Sequence, residues 1–369
     1  MKKEIIRNSN LELLRILAMF LIISHHYILH GALPLEEMPY TIHKVIALCL
    51  SAGGRSGVSL FLLISGYFSI RSTFNVKRVI TLIVKVWVFS VLLFLVFHLI
   101  LTPDATLNIK SLVKIFLPST FTQWWFATVF IILSLLSPFI NIALRALTQN
   151  QHKNLVVLLI VIWCIIPTFT AAEFGFSRLA WAVSLYIISA YFSLYPPKIR
   201  FNVHIGLCVF WLIVLFTSIF ILEYLGRFHS VFSTNSQYFC SFNKLPVFMF
   251  SLELFLIFTN MKPRYSKVIN TVASTTFGIY LIHENVLTRP YIWKTLFDNT
   301  EYYGSLVFFA RYAGVVVLIF VICGLIDFIV WQKVLGPLFD LILNKYLARI
   351  VNFITNTQVR VLTISKRFL

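Results

Sequence analysis

"RILAMFLIISHH", residues 15–26, puts a permanent cation at one end of an apolar run and two imidazoles at the other. With its flanks the run reaches the length of about 20 residues that carries a helix across the hydrocarbon core of a bilayer. An ionisable group at the centre of such a helix costs about 2.5–3.5 kcal/mol, so these groups are functional candidates by default. Arg15 and His26 are eleven positions apart, about three helical turns. They therefore share one face and stand about 16 Å apart along the axis. A guanidinium grips phosphate, and an imidazole can take a proton near neutral pH. The pair suits a long anionic molecule that enters at the Arg15 end and brings its reactive group to His26. The competing reading is a histidine packed by one hydrogen bond against a neighbouring helix.

The rest of the chain has the same character. Of its 369 residues 59% are hydrophobic and only 12% charged, with 37 phenylalanines, whereas soluble domains are about a quarter charged. Ten apolar runs can each form a span: 10–29, 43–70, 79–101, 124–144, 154–170, 177–194, 202–223, 245–261, 268–288 and 305–331. The expected fold is an all-α integral membrane protein with ten transmembrane helices. In the second run "SAGGRSG", residues 51–57, holds three glycines and Arg55, which predicts irregular backbone over the first half of that span. The first run is too long for a signal peptide and has Arg15 inside it, so it is expected to remain as a membrane helix.

The net charge of +18 is spread in short groups between the runs rather than gathered in one patch. This argues against nucleic acid and for encoded membrane topology. One alternate set of connections comprises the N-terminus, "RSTFNVKR", "RALTQNQHK", "PPKIR", "KPRYSK" and the tail after Trp331. It is overwhelmingly basic, with Glu4 and Asp340 its only acidic members. The other set is nearly balanced. Both termini are therefore expected in the cytoplasm, in keeping with an even number of spans. The chain divides into a membrane domain, 1–332, and a basic tail, 333–369. In the tail "PLFDLILNKYLARIVNFITN" alternates polar and apolar positions at helical spacing and reads as an amphipathic helix on the inner leaflet. No internal repeat is visible.

The remaining ionisable residues at depth are few. Lys85 can snorkel, and Asp327 lies near the cytoplasmic end of the last run. His283 and Glu284, in "FGIYLIHEN", should reach a depth similar to His26. Adjacent helical residues do not face each other, so Glu284 is expected to pair with His26, Arg55 or Arg311 across helices. His283 is either part of the chemistry or an interfacial anchor. Trp124 and Trp125 read as an interfacial belt, with Trp125 also a candidate for sugar contact. The five cysteines form no CxxC pair, and no zinc-type cluster is evident. No metal is expected.

Four segments carry a resemblance. "NSNLELLRILAMFLIISHH" is similar to the start of the acyltransferase-3 family of integral membrane acyltransferases, whose signature is an arginine, ten residues and a histidine, with an acidic residue three before the arginine. Arg15, His26 and Glu12 fit it. "GGRSGVSLFLLISGYF" resembles the family's glycine-rich segment, "QWWFATVFIILSLLSP" its tryptophan-bearing fourth span, and "STTFGIYLIHEN" its late histidine segment. The likeness runs in order from residue 8 to about 285. Many members carry an Arg-x-x-Arg pair after the second span; here Arg78 is followed by Thr81, so the pair is incomplete, with Lys77 and Arg71 as possible substitutes.

The resemblance implies ten spans, an acyl-CoA donor, usually acetyl-CoA, and an acceptor hydroxyl, often on a cell-envelope glycan. It makes His26 the catalytic histidine with Arg15 as its charged partner; His283 is a further catalytic candidate from its expected depth. Arg15, Arg78 and Lys77 would then hold the donor's phosphates. Arg55, Glu284 and Trp125 would meet the acceptor, with Arg55 or Arg311 stabilising an oxyanion. His26 would act as general base, or carry the acyl group as an acyl-histidine. The expected location is the bacterial plasma membrane. The partners are acyl-CoA, a glycan or lipid-linked glycan, and the bilayer. A transporter or flippase for a lipid-linked glycan is the alternative from another class.

Overall fold

The computed structural model describes residues 8–346 apart from 32, 34, 36–37, 102–107, 198 and 301; the described residues contain no strand. A helix occupies each of the ten apolar runs. These are α1 (Ser9–His30), α2 (Ile42–Ser69), α3 (Val76–Leu101), α4 (Trp125–Ala146), α5 (Gln149–Thr170), α6 (Arg178–Leu194), α7 (Phe201–Leu225), α8 (Leu245–Asn260), α9 (Lys267–His283) and α10 (Leu306–Tyr346). Eight helical stretches are long and apolar enough to cross a membrane, one of them Ser230–Asn260, which includes the 16 residues of α8, while α6 and α9 have 17 residues each. Outward-facing side chains such as Phe139, Ile142, Ile213 and Val307 are exposed, the pattern of helices whose outer surface meets lipid rather than water.

The central contact is α1 against α2. Contrary to the expected irregularity, "SAGGRSG" is continuous helix. A broken turn at this depth would strand backbone hydrogen-bonding groups away from water, so the helix is kept and the glycines serve another purpose. A Cβ on Gly53 would strike the Leu21 side chain, one on Gly54 the His25 side chain, and one on Gly57 the Ala18 carbonyl. The missing side chains let the two backbones approach, as small residues do in membrane helix pairs.

The base of α1 is latched to α9. Asn8 caps α1 by accepting the Asn10 amide at 3.0 Å. The Ser9 hydroxyl accepts the Ser266 amide at 2.8 Å and donates to Asn270 Oδ1 at 2.9 Å. Asn10 Nδ2 donates to the Lys262 carbonyl at 2.9 Å. One helix thus touches α2 along its length and α9 at its base, and it carries both Arg15 and His26.

Three contacts between a carboxylate and a nitrogen-bearing side chain tie the other helices. Lys44 Nζ meets Glu223 at 2.9 Å, joining α2 to α7, and His204 Nδ1 meets Glu253 at 2.7 Å, joining α7 to α8. Lys85 does not snorkel. Its ammonium lies 2.6 Å from Asp327 Oδ1, and the two side chains are 9% and 0% exposed. The pair fastens α3 to α10, and Gly278 on α9 leaves the room that the Asp327 carboxylate fills. Asp327 sits where α10 widens into a π-helical stretch.

Beyond that stretch α10 continues to Tyr346. Lys77 at the start of α3 meets Asp340 at 2.9 Å and Asn344 at 3.1 Å. Leu338, Leu341, Ile342 and Tyr346 are exposed, an apolar edge of the amphipathic kind. The rest of the expected tail helix, 347–369, lies outside the described residues.

Removing one partner of a buried pair leaves an uncompensated charge, at a cost of about 3–5 kcal/mol. Lys85→Met should therefore lower the thermal unfolding midpoint of detergent-solubilised protein sharply. The double change with Asp327→Leu should recover most of the loss. Equal stability of Lys85→Met and the parent would dismiss the pair as a fastener.

Candidate active site

Two cavities lie at the two ends of α1. One, of about 350 Å³, is lined by Arg15, Ser65, Ser69, Asn75 and Arg78. The other, of about 320 Å³, is lined by His26, His30, Arg55, Trp125, Glu284 and others. Between them stands a group of aromatic rings. Phe130 faces the first cavity and Phe126, one turn away on α4, the second. Their rings stack at 5.8 Å; Phe61 meets Phe126 edge-on at 6.1 Å, and Phe277 lies 6.5 Å from Phe130.

At the first cavity Arg15 Nη1 donates to both Glu12 carboxylate oxygens, at 2.8 and 2.9 Å, and its guanidinium lies 5.9 Å from the centre of the Phe68 ring. Glu12 is one turn back on the same helix, so the spacing that the sequence displays becomes a clamp on the cation. Arg78, on the first turn of α3, lines the same cavity. Lys77 does not; it is turned toward Asp340 and Asn344. Arg71 is also engaged elsewhere, donating from Nε to the Ser193 hydroxyl at 3.0 Å and from Nη2 to the Ser193 carbonyl.

At the second cavity the hydrogen bonds fix where the protons are. His283 is fully buried, and its Nδ1 lies 2.6 Å from the Ile279 carbonyl. A carbonyl can only accept, so in the neutral ring Nδ1 carries the proton and Nε2 is a lone pair. That lone pair lies 3.0 Å from His26 Nδ1, which must therefore be the donor. Glu284 Oε2, 3.2 Å from the same nitrogen, reinforces this by attracting the same proton. His26 is left with its unprotonated nitrogen at Nε2, the arrangement that a general base requires. His25, the other imidazole of the pair, is held by its Nδ1, which donates to the Ser51 carbonyl at 2.8 Å.

Glu284 is the cap residue of α9. Its Oε1 accepts from Arg289 at 2.9 Å and lies 3.7 Å from His30 Nε2. Of the three partners that the sequence allowed it, the structure selects His26. His283 and Glu284 do not bond each other; the side chains of both converge on His26, reaching it from successive positions at the helix end.

Among the other expected site residues, Arg55 lines the His26 cavity and donates to the Cys240 carbonyl at 3.2 Å. Trp125 lines it too, with the Arg178 guanidinium 4.4 Å from its ring centre and Phe242 edge-on at 5.6 Å. Trp124 is no belt residue. It is 1% exposed and donates from Nε1 to the Leu281 carbonyl at 3.1 Å, tying α4 to the end of α9. Arg311 stacks on Tyr302 at 4.4 Å and reaches the Asp298 carbonyl at 3.5 Å; it does not line the His26 cavity.

The residues that sequence reasoning missed are His30, Arg178 and Arg289. His30 has a local signal, since it follows His26 by four positions on one helical face. Arg178 is the first residue of α6 and Arg289 lies in the connection after α9, and neither has a local signal. His26, His30 and Glu284 each offer a donor atom within 4.8 Å of the others, a spacing that could hold a divalent cation. Arg55, Arg178 and Arg289 line the same cavity, and three guanidiniums oppose a cation there. The network is better suited to moving a proton.

The acyltransferase-3 model, an acyltransferase domain, matches residues 8–328, and the chain belongs to that family. It is a multi-pass membrane acyltransferase. No curated protein and no solved structure matches it.

His283→Leu removes the acceptor that sets the His26 tautomer. Acyl transfer should then fall by about a hundredfold or more, in the range that general-base catalysis supplies. His283→Gln, which keeps an acceptor oxygen, should recover part of the rate. Transfer assays on membranes carrying each variant would show it, and an unchanged rate in His283→Leu would remove His283 from the network.

Proposed function

We propose that the protein moves an acyl group, acetyl, from cytoplasmic acyl-CoA to a hydroxyl of a cell-envelope or extracellular polysaccharide or of its lipid-linked precursor. The observation that carries this reading is the single helix α1, which presents Arg15 to one cavity and His26 to the other. The charge asymmetry of the connections supports ten crossings of the cell membrane with both termini inside, the Arg15 cavity on the cytoplasmic side and the His26 cavity toward the outside.

In this reading the donor's phosphates lie at Arg15 and Arg78, and the pantetheine arm threads past the aromatic rings toward His26. His26 Nε2 takes the proton of the acceptor hydroxyl as its oxygen attacks the thioester carbonyl. The tetrahedral oxyanion is stabilised by Arg55. Its collapse breaks the carbon–sulfur bond, and the proton on His26 passes to the departing thiolate. Products are the ester and free CoA thiol, and the imidazole returns to its starting state. Glu284 favours the transient imidazolium, and His283 keeps the ring oriented.

His26→Ala should abolish acylation of envelope polysaccharide, read as a mass difference of one acyl group per repeat, in protein that inserts normally; retained acylation would end the assignment. Arg15→Ala should raise the KM for acyl-CoA at least tenfold with a much smaller change in that for the acceptor. Equal acyl-CoA affinity would refute the phosphate role. For topology, Asn150→Cys and Ser230→Cys should react with a membrane-impermeant maleimide from opposite sides, and labelling from the same side would overturn the orientation.

A further inference from the structure

The His26 cavity holds more positive charge than acyl transfer uses. Three guanidiniums line it, from Arg55, Arg178 and Arg289. Glu284 is its one carboxylate, and that group is committed to Arg289 and His26. No carboxylate among the described residues pairs with Arg55 or Arg178. A cationic surplus at the edge of a low-dielectric region attracts and concentrates anions.

The donor does not supply that anion in the proposed pathway. Its phosphates are placed at the opposite end of α1, and the thioester that reaches His26 is uncharged. The charge must come from the other substrate.

Arg178 is built for the task. It is the first residue of α6, behind the Ser177 cap whose hydroxyl accepts the Ala180 amide at 3.1 Å. Its guanidinium lies 4.4 Å from the centre of the Trp125 ring. Stacking occupies the face of a guanidinium and leaves its edge of N–H donors available for a bidentate oxyanion. The Trp125 and Phe242 rings lie beside it, and aromatic faces suit the apolar faces of sugar rings.

We propose that the acceptor is anionic: a glycan whose acylated unit, or the unit next to it, carries a carboxylate or a phosphate read by Arg178 with Arg55. This rests on the acyl-transfer reading above and names the substrate class of that same site. The carboxylate of a uronic acid and the phosphate of a phosphodiester or lipid-linked sugar share the chemistry that the cavity recognises.

The test uses the full-length protein in nanodiscs of zwitterionic lipid, so that no anionic headgroup competes. Three probes of equal alkyl length are compared: an alkyl glucoside, the matching alkyl glucuronide and an alkyl glucosyl phosphate. Equilibrium binding to His26→Ala protein is measured beside thiol release from acetyl-CoA by the parent protein. At least one charged probe should bind about tenfold more tightly than the glucoside, the factor expected of one additional charge-assisted contact. Which of the two does so distinguishes carboxylate from phosphate. Arg178→Gln should bring the charged-to-neutral ratio down at least fivefold, whereas a merely damaged fold would weaken all probes alike. Equal binding of the glucoside and both charged probes, or binding of none, overturns the proposal. Charge-selective binding without thiol release would uphold the anionic site and sink the transfer reading; thiol release without charge preference would do the reverse.

Discussion

The approach of α1 to α2 over Gly53, Gly54 and Gly57 is the constraint on which the rest depends. Lipid offers no hydrophobic drive for one apolar helix to bind another, so close van der Waals contact must do it. Side chains at these three positions would hold α1 off, and His25 would lose the place it occupies against Gly54. The same contact sets the rotation of α1. That rotation decides which residues face the cavities and which face lipid. The latch of Ser9 and Asn10 onto the α9 base then fixes α1 lengthwise, so that His26 arrives level with His283.

Depth and rotation together explain why a histidine can be buried here at tolerable cost. Within the pair the Ile279 carbonyl takes the His283 Nδ1–H and the His283 lone pair takes the His26 Nδ1–H, while Glu284 Oε2 lies 3.2 Å from His26 Nδ1 without a hydrogen bond of its own. A satisfied polar chain in a low dielectric is rigid, and a partly satisfied one is costly. The Lys85–Asp327 pair is also buried, and there the opposite charge of the partner offsets the cost.

Much of this was legible in the sequence, for physical reasons. Helices in the ten apolar runs follow from the apolarity of those runs, and eight helical stretches reach the length and apolarity that a bilayer crossing demands. The Arg15–His26 relation was legible because it lies within one helix, where spacing becomes geometry directly. Glu12 belongs to the same local category. Apart from the Glu284–His26 approach, which depth alone narrowed to three partners, what could not be read were the contacts between helices. Nothing local tells that Asp327 completes Lys85, that Trp124 turns inward to Leu281 while Trp125 lines the cavity, or that Arg178 stacks on Trp125. "SAGGRSG" misled because glycine breaks helices in water, whereas at membrane depth the cost of opening a backbone hydrogen bond reverses the outcome.

The rings of Phe61, Phe126, Phe130 and Phe277 touch one another in series, with Phe130 on the first cavity and the other three on the second. In the proposed orientation, where the two cavities open on opposite faces of the bilayer, a file of water joining the guanidinium at one end to the imidazoles at the other would be a conduit for hydrogen ions. Apolar rings at the junction would break that file, as an insulator between two terminals does, while rings that swing on single bonds could still yield to a slender organic tether.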